Sequence, residues 1–226
     1  MHAPADLGAQ WLSRPLRIVV ENAQCDGRLV RLVLLRTGER RLRRRLGDTL
    51  TDHIRTRWIE GAGDGEVFCL VHGGGDTTAA QATVGPMPPA GVPPRTFVMV
   101  DSDLSAPPAQ GGRFRTGGTA DKVDQAIQAL PAQVRPGLWV LRKRAVENYV
   151  PEDALKLEYW QRYGEYEALS TADRDFADLK SLFGSRTICA LLEWTSPTIH
   201  DRSLRDRAGD GGRELDQMLD ALLSAL

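Results

Sequence analysis

Between residues 16 and 141 the sequence returns four times to a short, almost wholly apolar run rich in β-branched side chains: LRIVVE (16–21), EVFCLVHGGG (66–75), PRTFVMVDSD (94–103) and GLWVL (137–141). Strands that read as continuous hydrophobic runs, without alternation, are strands covered on both faces. The segments between them carry helical spacing. DGRLVRLVLLRTG (26–38) has Asp26 as a predicted N-cap and Gly38 as a stop, and TADKVDQAIQAL (119–130) is predicted to be capped by Thr119 or Asp121. Strand and helix alternating in this way specify an α/β fold, a mainly parallel sheet flanked by helices.

The arginine run at 40–45 and DTLTDHIRTRWIEGAG read as further helix and loop, and DTTAAQA as a short helix start. Prolines and glycines at 85–94 and 105–118 read as long loops near the strand ends. After residue 150 the chain turns helical, with Pro151 suited to a first helical turn, TICALLEW (187–194) predicted as a last strand, and GRELDQMLDALLSAL as an amphipathic closing helix. At 226 residues this is expected to be one domain, with a core over about 16–150 and a helical extension over about 151–226.

Formal net charge is −1, so nothing global draws the chain to a polyanion. Locally, RRLRRR (40–45) and LRKR (141–144) are basic and would suit a phosphodiester substrate. Cys25, Cys69 and Cys189 show no metal-ligand spacing; two of them sit in apolar runs as small hydrophobes, which fits a reducing cytoplasm. No 18-residue apolar stretch occurs, and residues 1–12 lack a signal-peptide core, so a cytoplasmic protein without a membrane partner is expected. His53, His72 and His200 have no zinc-like spacing, and HGGGD lacks the GK[ST] of a phosphate loop. Glycines 73–75 either allow a tight turn or let a phosphate approach the backbone.

The chemistry sits at the strand ends. The first strand ends in Glu21, the third in Asp101 and Asp103, and the fourth runs on to Glu147. Parallel strands all point one way, so these acids converge on the edge where open α/β sheets bind ligands. Carboxylates gathered there repel one another unless a hard cation such as Mg²⁺ or Mn²⁺ neutralises them.

Glu after the first strand, DSD after a later one and the helices between resemble the TOPRIM domain of topoisomerases, primases and OLD-type nucleases, a Rossmann-like fold. VVENAQCDGRLV followed by VLRKRAVENYVPEDAL looks like the nuclease branch, including stand-alone TOPRIM effectors of bacterial anti-phage defence, and DFADLKSLFG places Lys180 where that branch has a later lysine. The resemblance covers about residues 16–185 through short motifs. It implies a Mg²⁺- or Mn²⁺-dependent endonuclease acting on DNA or RNA. Glu21 would be general base or metal ligand, Asp101 and Asp103 would hold a first metal, Glu147 would help to hold a second, and Lys180 would stabilise charge on the phosphate. Asp26 is either a further ligand or only a cap.

Many TOPRIM motifs have Gly directly after the first Glu, whereas this chain has Asn22. That departure keeps a second expectation open, a non-catalytic TOPRIM-shaped binding or regulatory module acting with a partner ATPase encoded nearby. Homo-oligomerisation is left open. A receiver-like phosphoacceptor domain is disfavoured, because its acid pair follows the first strand.

Overall fold

The computed structural model describes residues 13–59, 67–85, 87–107, 113–185, 187–192 and 201–226. The segment 1–12, His200, the end of TICALLEW and parts of the two loop predictions lie outside them.

Strands β1 (Leu16–Val20), β2 (Phe68–His72), β3 (Thr96–Val100) and β4 (Gly137–Val140) form one sheet in the order β2-β1-β3-β4, every pair parallel. The expected α/β architecture is therefore the observed one. Side chains alternate between two cores. Leu16, Ile18, Val20, Phe97 and Met99 face one of them, while Val19, Val98, Val100 and Val140 face the other. Each such side chain taken out of water contributes roughly 1.5–3 kcal/mol before entropy is counted, which is why strands this short hold.

Helix α1 (Cys25–Leu32) leaves β1 and continues as a π-helical segment, Val33–Thr37, up to Gly38. A Cβ at Gly38 would lie 2.5 Å from Leu219 Cδ2 and 2.6 Å from the Val33 carbonyl, so the chain passes there only as glycine. Helices α2 (Glu39–Leu46) and α3 (Asp48–Ile59) complete the crossover to β2. The chain then returns through α4 (Thr78–Thr83) to β3 and through α5 (Thr119–Gln128) to β4. The first crossover goes to one side of β1 and the next to the other. The sheet thus has a topological switch point between β1 and β3, the place where such sheets open a crevice at their carboxyl ends.

Beyond β4 come a 3₁₀ turn (Val146–Tyr149) and the helices α6 (Glu152–Glu158), α7 (Tyr163–Glu167), α8 (Thr171–Phe176) and α9 (Leu179–Phe183). A 3₁₀ segment (Ile188–Leu192), α10 (Asp201–Ala208) and the closing helix α11 (Arg213–Ser224) follow. Their buried residues join the core on the Leu16, Ile18 and Val20 side.

Three local expectations change. Residues 188–192 are a 3₁₀ turn rather than a strand: Ile188, Cys189 and Leu192 are buried against α1 instead of extending the sheet. Cys25 and Cys189, 164 residues apart, are joined as a disulfide that does not include Cys69. Helix caps also shift: Asp26 lies inside the first turn of α1, and α5 follows Gly118, with Asp121 accepting from the Gly117 N–H at 2.7 Å.

Candidate active site

Glu21 follows β1 and Asp101 follows β3, so the two acids flank the switch point. The Asp101 N–H donates to Glu21 Oε1 at 3.1 Å, and the Val146 N–H donates to Asp101 Oδ1 at 3.1 Å. These two bonds tie the ends of β1, β3 and β4 into one edge. Asp103 sits two residues on with φ 55°, the one non-glycine residue with positive φ among those described. Its N–H donates to the Arg144 carbonyl at 3.0 Å, which holds this unusual conformation in place. Left-handed backbone in a non-glycine residue costs free energy and tends to cluster at functional sites.

Position 22 resolves the departure from glycine. Asn22 Oδ1 accepts from the N–H groups of Gln24 (2.9 Å) and Cys25 (3.2 Å), satisfying the start of α1. The asparagine thus does the capping expected of Asp26. Asp26 in turn accepts from the Asn22 N–H at 2.8 Å and lies 3% exposed, its charge felt by Asp101. It belongs to the acidic group, a membership that its position at a helix start concealed.

Glu147 and Lys180 also arrive. Glu147 is 2% exposed in the 3₁₀ turn after β4, and Lys180 Nζ on α9 lies 2.8 Å from its Oε1. A lysine on an amphipathic helix is ordinarily solvated; this one stays half exposed while its ammonium reaches the buried Glu147 carboxylate. The glycines beside the site form a turn: Gly74 and Gly75 have positive φ, a Cβ at Gly73 would collide with Thr78, and the Gly74 N–H donates to the Glu21 carbonyl at 3.0 Å.

Burial and crowding set the protonation of this edge. Glu21 is pushed up to about 7, first by desolvation and then by the charge of Asp103, against the pull of the Asp101 N–H, the Thr119 hydroxyl and Lys180. Asp26 is likewise raised to about 7, by desolvation and by Glu21 and Glu147. Asp101 is raised well above its ordinary value by desolvation and by Asp26, Glu21, Glu147 and Asp103. Burial alone would lower Lys180, but Glu147, Asp101 and Asp26 hold its ammonium above the ordinary value. Five carboxylates therefore share one ammonium.

An oxygen-only donor set with that deficit fits a hard divalent cation. The acids are spread along the edge, however. Among the described residues, the trio of metal-binding atoms lying within 4.8 Å of one another is Cys25, Glu147 and Cys189, not Glu21, Asp101 and Asp103. No three of these acids lie that close among the described residues, so an ion here would take one or two of them directly and keep several of its waters.

The second basic run is paired throughout and the first in part. Arg43 pairs with Glu39, Asp48 and Asp52, and Arg41 with Asp216 and Asp220. In the second run, Arg142 pairs with Asp210, Lys143 with Asp175 and Arg144 with Asp178. Arg43 finds its partners nearby, whereas Arg41 and the second run find theirs on elements far along the chain. No helix among the described residues is long and apolar enough to cross a membrane.

A scan against protein-family models and searches of the curated proteins and of the solved structures returned no match for this chain.

Proposed function

We propose that the protein is a metal-dependent nuclease of TOPRIM type, hydrolysing phosphodiester bonds in DNA or RNA. The observation that carries this reading is the meeting of Glu21, Asp26, Asp101, Asp103 and Glu147 with Lys180 at the carboxyl edge of a parallel sheet, beside its switch point. Asp101 and Asp103 would hold Mg²⁺ or Mn²⁺, directly or through its waters, with Glu21 as a further ligand or as general base and Glu147 at a second position. Such an ion supplies Lewis-acid charge to the phosphate and to the leaving oxygen.

The chain's own groups do the rest. As general base, Glu21 would take the proton of the attacking water, its carboxyl lifted from the ordinary range in the metal-free protein by desolvation and by Asp103. Lys180 carries the positive charge that meets the growing negative charge on the phosphate. A nuclease of this kind needs restraint, and by the motif resemblance it would be a cytoplasmic effector of anti-phage defence, held or recruited by a partner ATPase.

A second reading is a non-catalytic module of the same shape acting with that ATPase. The closed Lys180–Glu147 pair and the spread of the acids favour it. Incubating pure wild-type and Glu21→Gln protein with plasmid DNA and with tRNA, with and without Mg²⁺ or Mn²⁺, separates the two. Metal-dependent cleavage by wild type alone supports the nuclease, and retained cleavage by Glu21→Gln removes Glu21 from the site. No cleavage by wild type under any of these conditions leaves the module.

A further inference from the structure

The disulfide lies against the acidic edge. Cys25 opens α1, three residues after Asn22, and Cys189 comes from the distant 3₁₀ segment 188–192, with their Cα atoms 5.2 Å apart. Both are buried, and so is Glu147; a carboxylate oxygen of Glu147 and the two sulfurs all lie within 4.8 Å of one another. Glu147 Oε1 is removed from water, and the Lys180 ammonium lies 2.8 Å from it. Two sulfurs and a buried carboxylate on one point are a donor set unlike the oxygen-only edge beside it.

From this we infer that the reduced Cys25 and Cys189 pair, together with Glu147, forms a second metal site selective for a thiophilic divalent cation such as Zn²⁺. A dithiol reductant supplies two electrons and two protons, cleaving the S–S bond to two thiols while its own sulfurs join as a disulfide. Binding of the cation then releases the two thiol protons and forms two metal–sulfur bonds. Zn–S bonds are about 2.3 Å and Zn–O bonds about 2.0–2.2 Å, so donors within 4.8 Å of one another surround one ion after small shifts.

Charge supports the set. Two thiolates and a carboxylate around a divalent ion leave one negative charge, and two cations stand beside it: Lys180 at 2.8 Å from Glu147, and Arg28, whose Nη1 donates to Cys189 Sγ at 3.9 Å. Three protein ligands leave a fourth position for water, the arrangement of open zinc sites. Soft ligands separate the two sites by metal class, since thiolates select Zn²⁺ over Mg²⁺. Glu147 belongs to both, but this site stands whether or not the protein cleaves nucleic acid.

The test titrates phosphine-reduced, desalted protein with Co²⁺ and then Zn²⁺. Expected are a thiolate-to-cobalt charge-transfer band saturating at one equivalent, its displacement by Zn²⁺ but not by Mg²⁺, and protection from alkylation. Mass mapping should find three reactive cysteines in the reduced metal-free protein and one, Cys69, in the zinc-loaded protein. Cys69→Ser should keep the band. Cys25→Ser, Cys189→Ser and Glu147→Gln should each weaken cobalt binding by at least about 10–100-fold, the loss typical of even an outer-shell partner. Glu147→Gln keeps both thiols, so it tests the site should a serine variant fail to fold. An absent band in reduced wild type, a band surviving both serine variants, or unchanged affinity in Glu147→Gln would each overturn the inference. None of these readouts depends on cleavage, so failure here and failure of the nuclease reading are separate results.

Discussion

The acidic edge sets Glu21, Asp26, Asp101, Asp103 and Glu147 around one ammonium, whereas the stretch after β4 sets Lys143, Arg142 and Arg207 against Asp175, Glu214 and Asp210. In this second cluster each charged side chain meets a partner, although Arg207 Nε itself is left without one. Lys143 and Arg207 both reach Asp175, Arg142 reaches Asp210, and Glu214 accepts from the Arg142 N–H and the Tyr149 hydroxyl, each at 2.7 Å. Lys143 still pays for burial: desolvation and the neighbouring Arg207 lower it to about 8, against the pull of Asp175 and Glu214. Yet the set is balanced, and its work is to fasten α8, α10 and α11 to the end of β4. At the edge, burial without compensation leaves carboxylates that invite a cation. Buried charge with a partner is architecture; buried charge without one marks a candidate site.

The largest effect that would break this comparison is on chemistry. Glu21→Gln should lower the cleavage rate by about 10² to 10⁴ while leaving the melting temperature of the metal-free protein unchanged or raised, because the removed charge was repelled by Asp103. Rate assays and thermal melts on the same preparations check both halves. A lost activity accompanied by a collapsed melting temperature would show that Glu21 is structural after all.

Next comes the balanced cluster. Asp175→Ala removes the partner common to Lys143 and Arg207 and leaves two cations buried, 3% and 6% exposed. Breaking a buried pair in this way costs about 3–5 kcal/mol, measurable by urea unfolding. A loss below about 1 kcal/mol would mean that the cluster is solvated and the contrast with the acidic edge is false.

Much of this was legible in the sequence. Continuous apolar runs such as TFVMV announced buried parallel strands, and their order through the chain placed Glu21, Asp101, Asp103 and Glu147 on one edge because parallel strands share a direction. What stayed hidden depended on pairing across distance. Cys25 and Cys189 show no spacing that joins them, since the contact is made by α1 packing on a 3₁₀ turn 164 residues away. TICALLEW reads as a strand because five apolar or β-prone residues look alike whether they enter a sheet or cover a helix. Asp26 looked like a cap because local sequence cannot show that Asn22 already caps α1.

A smaller effect follows from pH. Glu21 and Asp26 rise from ordinary values of 4.5 and 3.8 to about 7, and Asp101 rises with them. At these three groups the folded protein therefore binds more protons than the unfolded chain between about pH 4 and 7, so their contribution to metal-free stability is full in acid and is lost as pH rises through about 7. Asp101→Asn removes the most crowded charge. It should stabilise the metal-free protein by about 1–3 kcal/mol at pH 8, with the gain fading toward pH 4. Denaturation series at the two pH values check this, and an equal gain at both would assign it to packing rather than to charge. Saturating Mg²⁺ should stabilise wild type and narrow the difference.

The smallest effect concerns Asp103, where backbone and charge must be told apart. With φ 55° the residue is in the left-handed region, which Asp and Asn tolerate better than other side chains because they hydrogen-bond locally. Asp103→Asn removes the charge and keeps that tolerance. Asp103→Gly removes the charge and all steric cost, but it also loosens the unfolded chain, which works against folding. The two opposing terms are each near 1 kcal/mol, so the glycine variant should differ from the asparagine variant by no more than about 1 kcal/mol. Both should lose Mg²⁺ or Mn²⁺ affinity alike in calorimetry, because what they share is the missing carboxylate. A glycine variant far more stable than the asparagine one would show that the loop, anchored through the Arg144 carbonyl, holds Asp103 in place by force. Retained metal affinity in both would place the cation elsewhere on the edge, with Glu21 and Asp101 as its remaining anchors.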